Sequence, residues 1–172
     1  VRPTSFYGIS KLTPENYLKV YKELYGLEYT ILRYSNIFGP RQDVMGEGGV
    51  IAIFINKLLN GETPVIFGSG EQTRDFLYVE DVADANHKAL YNDNGETINI
   101  STNTRISINQ LYSELTKILK LNLKPQYSKI RPGDILHSSL DNEKAKKIIN
   151  WQPKYKFIEG IEETIKYYKK RM

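Results

Sequence analysis

Apolar side chains at Leu12, Leu18, Tyr21, Leu24 and Tyr25 recur at roughly helical spacing, so the pattern predicts a helix from Tyr7 to Tyr25, with Gly26 in the position of a left-handed C-terminal cap. The next run, Tyr29 to Tyr34, is rich in β-branched and aromatic residues and too short for a helix; a strand is predicted. Asn36 to Gly49 contains Pro40 and the glycines Gly39, Gly46, Gly48 and Gly49, which is loop chemistry placed after a strand, where ligands are often held. Val50 to Leu59 reads as a buried helix ending at Asn60-Gly61. A strand Pro64 to Phe67, a hairpin turn at Gly68-Ser69-Gly70 and a second strand Thr73 to Val79 come next. Asp81 reads as the cap of a helix reaching about Tyr91, with Glu80, Asp81 and Asp84 complementing its dipole, and Thr97 to Ile100 as another strand. Ser107, with Gln110 three residues on, has the reciprocal capping pattern and predicts a helix from about Ile108 to Leu119, with Leu111, Leu115, Ile118 and Leu119 on its apolar face. A strand near Pro125 to Tyr127, a turn at Arg131-Pro132-Gly133-Asp134, a short helix after Asp141 and a last helix from about Ile158 to Lys169 complete the pattern. Helices and strands are mixed throughout, which predicts an α/β fold.

Composition narrows what such a fold can do. The 172 residues are 40% hydrophobic and 26% charged, too well mixed for a disordered tail. The longest apolar stretch, Val50 to Ile55, is far too short to cross a bilayer, so no membrane partner is expected. With no cysteine and two isolated histidines, His87 and His137, thiol chemistry is excluded and no metal site is expected. The formal charge of +4 suits a small anion such as a phosphate group; the basic residues are too scattered for a nucleic-acid binder. The absence of cysteine and of a targeting segment leads us to expect a cytoplasmic protein. The chain opens Val1-Arg2-Pro3 without methionine, and reads as a piece that starts mid-protein.

Tyr7 and Lys11 lie four residues apart near the start of the first predicted helix, so both project from one face. An ammonium beside a phenol favours the phenolate, and a free tyrosine, with its pKa of about 10, needs such help to act as a base. Further along come Leu32-Arg33-Tyr34-Ser35-Asn36-Ile37-Phe38-Gly39-Pro40-Arg41-Gln42, then Val65-Ile66-Phe67-Gly68-Ser69-Gly70, then Thr73-Arg74-Asp75-Phe76, then Arg131-Pro132-Gly133-Asp134. Taken singly these are ordinary: an arginine is usually solvated, Asn36 and Asp134 suit loops and turns, and Val65 and Phe67 suit a core. Gly68-Ser69-Gly70 does not make a dinucleotide fingerprint, because Thr73 to Val79 reads as a strand and not a helix.

In this order, however, the motifs resemble the C-terminal portion of the extended short-chain dehydrogenase/reductase family, most closely the UDP-glucose 4-epimerases, over nearly all of the chain. The resemblance implies the end of an NAD-binding Rossmann-like fold at residues 1–38. It implies that residues 39–172 form mainly a smaller nucleotide-sugar lobe, with some elements returning to the cofactor domain. It implies NAD as cofactor, a UDP-sugar as substrate, and interconversion of UDP-glucose and UDP-galactose through a 4-keto sugar. Tyr7 would take the proton from the sugar 4-hydroxyl, and Lys11 would hold the nicotinamide ribose. Tyr34 and Ser35 would pass the nicotinamide, and Asn36 would meet the substrate phosphates. Arg74 and Arg131 would clamp the diphosphate, Asp134 the uridine ribose, and Val50, Val65 and Phe67 the uracil side. The family's glycine-rich fingerprint, its acidic ribose-binding residue and the Ser or Thr that shares proton transfer all precede the tyrosine motif, so a missing N-terminal dinucleotide-binding half is implied. The parent would be a homodimer and the isolated chain inactive. Another nucleotide-sugar epimerase, a 4,6-dehydratase, or a non-catalytic nucleotide-diphosphate-binding module are the alternatives. Phe6 stands where the family usually has proline, and Ser101-Thr102-Asn103-Thr104 where it commonly has a Gly-Thr-Gly turn.

Overall fold

Ser5 opens the first helix, α1 (Phe6–Tyr25), by accepting the Gly8 N–H on its Oγ at 3.0 Å, and Gly26, at φ 69°, closes it by donating to the Lys22 carbonyl. The structure is a computed structural model that describes residue 3 and residues 5–44, 48–92 and 95–171; Val1, Arg2 and the loop glycine Gly46 lie outside the described residues. Next in the chain are strand β1 (Thr30–Tyr34), then β2 (Asn36–Phe38), α2 (Val50–Leu59), β3 (Val65–Phe67), β4 (Thr73–Arg74) and β5 (Phe76–Tyr78). The second half holds α3 (Val79–Ala89), β6 (Glu96–Ile100), β7 (Ile106–Ser107), α4 (Ile108–Leu119), β8 (Gln126–Ser128), α5 (Glu143–Ile149) and α6 (Phe157–Lys169).

Pairing is mostly parallel and long in sequence: β1 with β6, β2 with β5, and β3 with β8, while β4 and β7 pair antiparallel. Parallel neighbours need a crossover, and helices supply it, which is the α/β architecture the alternation predicts. Two apolar clusters result. The first packs α2, α4 and α6 around Phe38, Phe54, Ile55, Leu111, Leu115 and Ile161; the second gathers Leu77, Ile98, Ile100, Ala145, Ile149 and Trp151. The β2–β5 pair feeds both, because successive strand side chains point to opposite faces: Ile37 and Leu77 face the second cluster, Phe38, Phe76 and Tyr78 the first. Helix α6 passes close to this pair at Gly160, where a Cβ would come within 2.8 Å of Phe38 Cζ and 2.9 Å of Tyr78 Cδ2.

Several expectations are corrected. The predicted strand Thr73 to Val79 is two strands split at Asp75, which turns fully inward, and Val79 already belongs to α3. Gly68 and Gly70 do make a turn, at φ 76° and 79°, but no hairpin forms, because β3 takes β8 as its partner and β4 takes β7. Asn36 to Phe38, expected in the loop, is β2. Asp81 does not cap α3; Tyr78 is the N-cap residue, and Asp81 is buried in the first turn, accepting the Lys154 and Tyr155 N–H groups at 2.9 and 3.2 Å. Burial pushes its carboxyl above the usual range, against the pull of those two backbone donors. The capping box at Ser107 and Gln110 is present as expected.

Helix α1 lies largely on the surface, and Glu15 is its buried residue. Arg33 of β1 grips that carboxylate with two hydrogen bonds, Nε to Oε1 at 2.8 Å and Nη2 to Oε2 at 2.5 Å. The guanidinium holds the Glu15 carboxyl below its ordinary range, against a smaller upward push from burial. A depressed carboxyl pKa stabilises the fold above the unfolded value, about 4.3 for glutamate, and that contribution is lost as pH falls through the folded value. Thermal unfolding of the wild-type chain is therefore expected to lose more stability between about pH 6 and pH 3 than that of a Glu15→Gln, Arg33→Gln double variant. An equal acid loss in the two proteins would contradict this.

Candidate functional site

A cleft of about 300 Å³ opens between the start of α2, strands β3 and β4, and the exposed segment after β8. Its lining includes Asn36, Val50, Val65, Phe67, Arg74, Arg131 and Asp134. All seven positions expected at the substrate are thus brought to one place from stretches as far apart as residues 36 and 134. Local structure explains the placement. Val65 and Phe67 share one face of β3, while Ile66 between them goes into the core. Val50 is the first residue of α2, with Gly49 as its N-cap. Asn36 is fixed at the start of β2 by donating its N–H to the Asp75 carbonyl at 2.8 Å.

The two arginines are held by uncharged partners. Arg74 Nη1 donates to the carbonyls of Thr73 and Ile135, at 2.9 and 2.7 Å, and the Arg131 guanidinium lies over the Phe67 ring, 3.6 Å from its centroid. Among the described residues neither forms a salt bridge. Two guanidiniums without an acidic partner among the described residues, beside an apolar wall of Val50, Ile53 and Val65, can take an anionic group at one end and a flat apolar one at the other. Sequence reasoning missed Gln72, Ile53 and Ile108 in this lining. Gln72 Nε2 donates to the Phe67 carbonyl at 2.7 Å, a contact around the glycine turn that no pattern announces.

Asp75, next to Arg74, was also missed. Its fully buried carboxylate accepts Thr102 N–H and Oγ1–H on Oδ1, at 3.0 and 2.7 Å, and Asn103 N–H and Leu140 N–H on Oδ2, at 3.1 and 3.4 Å. It ties β4 to the Thr102-Asn103 turn and to the far end of the segment that carries Arg131 and Asp134.

The tyrosine and lysine lie elsewhere. Tyr7 is 71% exposed, and the Lys11 ammonium sits 5.3 Å from its ring centroid, so the pair shares a face of α1 as the spacing predicts, but neither lines the cleft. Lys11 instead borders a depression of about 220 Å³ with Glu15 and Arg33. Tyr34 does not join Tyr7 or the cleft lining: its hydroxyl donates to Asn86 Oδ1 at 2.9 Å, beside another depression. Ser35 stands where the chain crosses from β1 to β2, its N–H donating to the Ile100 carbonyl at 3.0 Å. Its buried Oγ has no hydrogen-bond partner among the described residues. Such an orphaned hydroxyl suits a polar ligand atom. Among the described residues there is no cluster of three metal-ligating side chains and no helix long and apolar enough to cross a membrane.

The parallel α/β body thus carries a cleft in which two guanidiniums, held by uncharged partners, stand beside an apolar wall. Residues 1–101 match the NAD dependent epimerase/dehydratase family, and the chain belongs to that family. NAD is the family's cofactor. The chain is 37% identical over 172 residues to the UDP-glucose 4-epimerase of Mycolicibacterium smegmatis, covering 99% of this chain and 55% of that protein. It is 35% identical over 176 residues to the human dTDP-D-glucose 4,6-dehydratase, covering 98% of this chain and 49% of the other. Among solved structures, the UDP-glucose 4-epimerase of Thermotoga maritima with UDP-glucose matches with a TM-score of 0.97 at 44% identity, over 99% of this chain and 55% of that one. The chain thus spans about half the length of the relatives it matches.

Proposed function

We propose that this chain is part of an NAD-dependent nucleotide-sugar 4-epimerase that interconverts UDP-glucose and UDP-galactose. The observation that carries the reading is the single cleft: the positions that the motifs assign to phosphates, ribose and base all line it. Arg74 and Arg131 take the diphosphate, Asn36 reaches it from β2, Asp134 meets the ribose, and Val50 and Val65 wall the base. Tyr7 takes the proton of the sugar 4-hydroxyl and returns it. Lys11 holds the nicotinamide ribose and stabilises negative charge on the Tyr7 oxygen. Tyr34 and Ser35 border the nicotinamide, and the partnerless Ser35 Oγ fits a polar group there. Bound NAD would supply the reversible hydride acceptor for the sugar C4. Residues 1–38 belong with the cofactor domain, and residues 39–172 mainly with the substrate lobe.

Activity requires the rest of the length found in the relatives. Helix α1 exposes Phe6, Ile9, Tyr17, Val20, Tyr21, Leu24 and Tyr25, a face that suits burial against a dinucleotide-binding half and a second copy. The isolated chain with added NAD is expected not to interconvert the two sugars, whereas the complete protein does.

Binding can be read on the chain itself. Calorimetric titration with UDP is expected to give a measurable heat, and Arg74→Ala is expected to weaken UDP by about tenfold to a hundredfold, the loss of a charged fork from a phosphate. Absence of heat, or an affinity unchanged in Arg74→Ala, would remove the clamp assignment.

A further inference from the structure

The motifs assign Phe67 to the uracil side of the substrate, yet its ring is already in use. The Arg131 guanidinium carbon lies 3.6 Å from the ring centroid, the separation of stacked planes, so that face of the ring is taken. The two partners differ in firmness. Phe67 ends β3, which pairs with β8, and its carbonyl is held by Gln72 Nε2. Arg131 stands in an exposed turn between exposed neighbours Ile130 and Pro132, and among the described residues it has neither a salt bridge nor a hydrogen bond from its side chain. A long side chain in that setting loses much rotamer freedom when it grips a ligand, and a ring that already holds the guanidinium flat removes that cost from the binding step.

We propose that Phe67 is a positioning residue for Arg131, presetting its guanidinium for the diphosphate, and that the base is received instead by Val50, Ile53 and Val65. The proposal rests on the nucleotide-sugar reading of the cleft and changes one assignment within it. The ring attracts the cation without neutralising it, which a carboxylate in the same place would do.

A double-mutant cycle read by UDP calorimetry on the chain tests it. Phe67→Leu keeps an apolar side chain and removes the ring. It is expected to weaken UDP about tenfold, ~1.4 kcal/mol. Phe67→Tyr keeps the ring and is expected to retain wild-type affinity. In an Arg131→Ala background Phe67→Leu is expected to cost nothing further, because the residue it positions is gone. A Phe67→Leu loss that persists undiminished without Arg131 would overturn the proposal and return Phe67 to the base. A ligand-free readout stands beside it: the Arg131 side-chain proton resonances are expected to be displaced upfield by the ring and to lose that displacement in Phe67→Leu. No displacement in the wild type overturns the stack itself, even if Phe67→Leu fails to fold. If the wild-type chain shows the displacement but binds no UDP, the nucleotide-sugar reading fails, and the proposal falls with it.

Discussion

Tyr7→Phe in the complete enzyme is expected to lower kcat for UDP-galactose by a factor of about 10² to 10⁴, the range that a positioned proton donor and acceptor contributes. On the proposed reading, removing the hydroxyl takes away the group that would receive the 4-hydroxyl proton and leaves the exposed ring in place. KM is expected to stay within a few-fold of wild type. The reason lies in the separation of the two sites: the cleft that would hold the nucleotide is lined from β2, α2, β3, β4 and the segment after β8, whereas Tyr7 and Lys11 stand on α1 outside it. On that reading binding and proton transfer fall to different elements, and the substitution touches one of them. Initial-rate measurements on purified complete enzyme decide the matter. A kcat within about tenfold of wild type would remove Tyr7 from the reaction, and a large rise in KM with kcat unchanged would make it a binding residue.

How much of the fold and the cleft was legible in the sequence depended on how local the causes were. The helix Ile108–Leu119 was readable because its start is set by two side chains three residues apart, Ser107 and Gln110, bonding each other's backbone. The series of motifs was readable for a related reason: each arginine or glycine turn is a short, ordered string. The errors arose where a partner lies far along the chain. Asp75 breaks a predicted strand because Thr102, Asn103 and Leu140 supply its hydrogen bonds. Asp81 has the residue type of a cap, yet its partners are the backbones of Lys154 and Tyr155. The hairpin at Gly68-Ser69-Gly70 failed because β3 finds its edge in β8, far along the chain. Phe67 and Arg131 belong to the same class of contact: each motif was visible, but their stacking was not.

Trp151→Ala is expected to destabilise the chain by about 3–5 kcal/mol, a large share of the roughly 5–15 kcal/mol that holds a typical domain. Trp151 is fully buried in the second apolar cluster, and its Nε1–H donates to the Asp81 carbonyl at 3.0 Å. Truncation leaves a cavity the size of an indole and removes the hydrogen bond to the first turn of α3, whose Asp81 carboxylate anchors the Lys154 and Tyr155 N–H groups. Trp151→Phe separates the two effects: it fills most of the volume and loses the donor, so its cost is expected near about 1–3 kcal/mol. Urea unfolding monitored by far-ultraviolet circular dichroism measures both, since the chain's one tryptophan is removed as a fluorophore. Under conditions where Trp151→Ala is still folded, its UDP affinity is expected to stay near wild type, because the cleft is walled from the first cluster through α2, β3 and α4. A stability within about 1 kcal/mol of wild type would show that the second cluster collapses around the lost ring. A UDP affinity that falls in step with stability would show that the strand pair β2–β5, which faces both clusters, transmits the loss to Asn36 in the cleft lining.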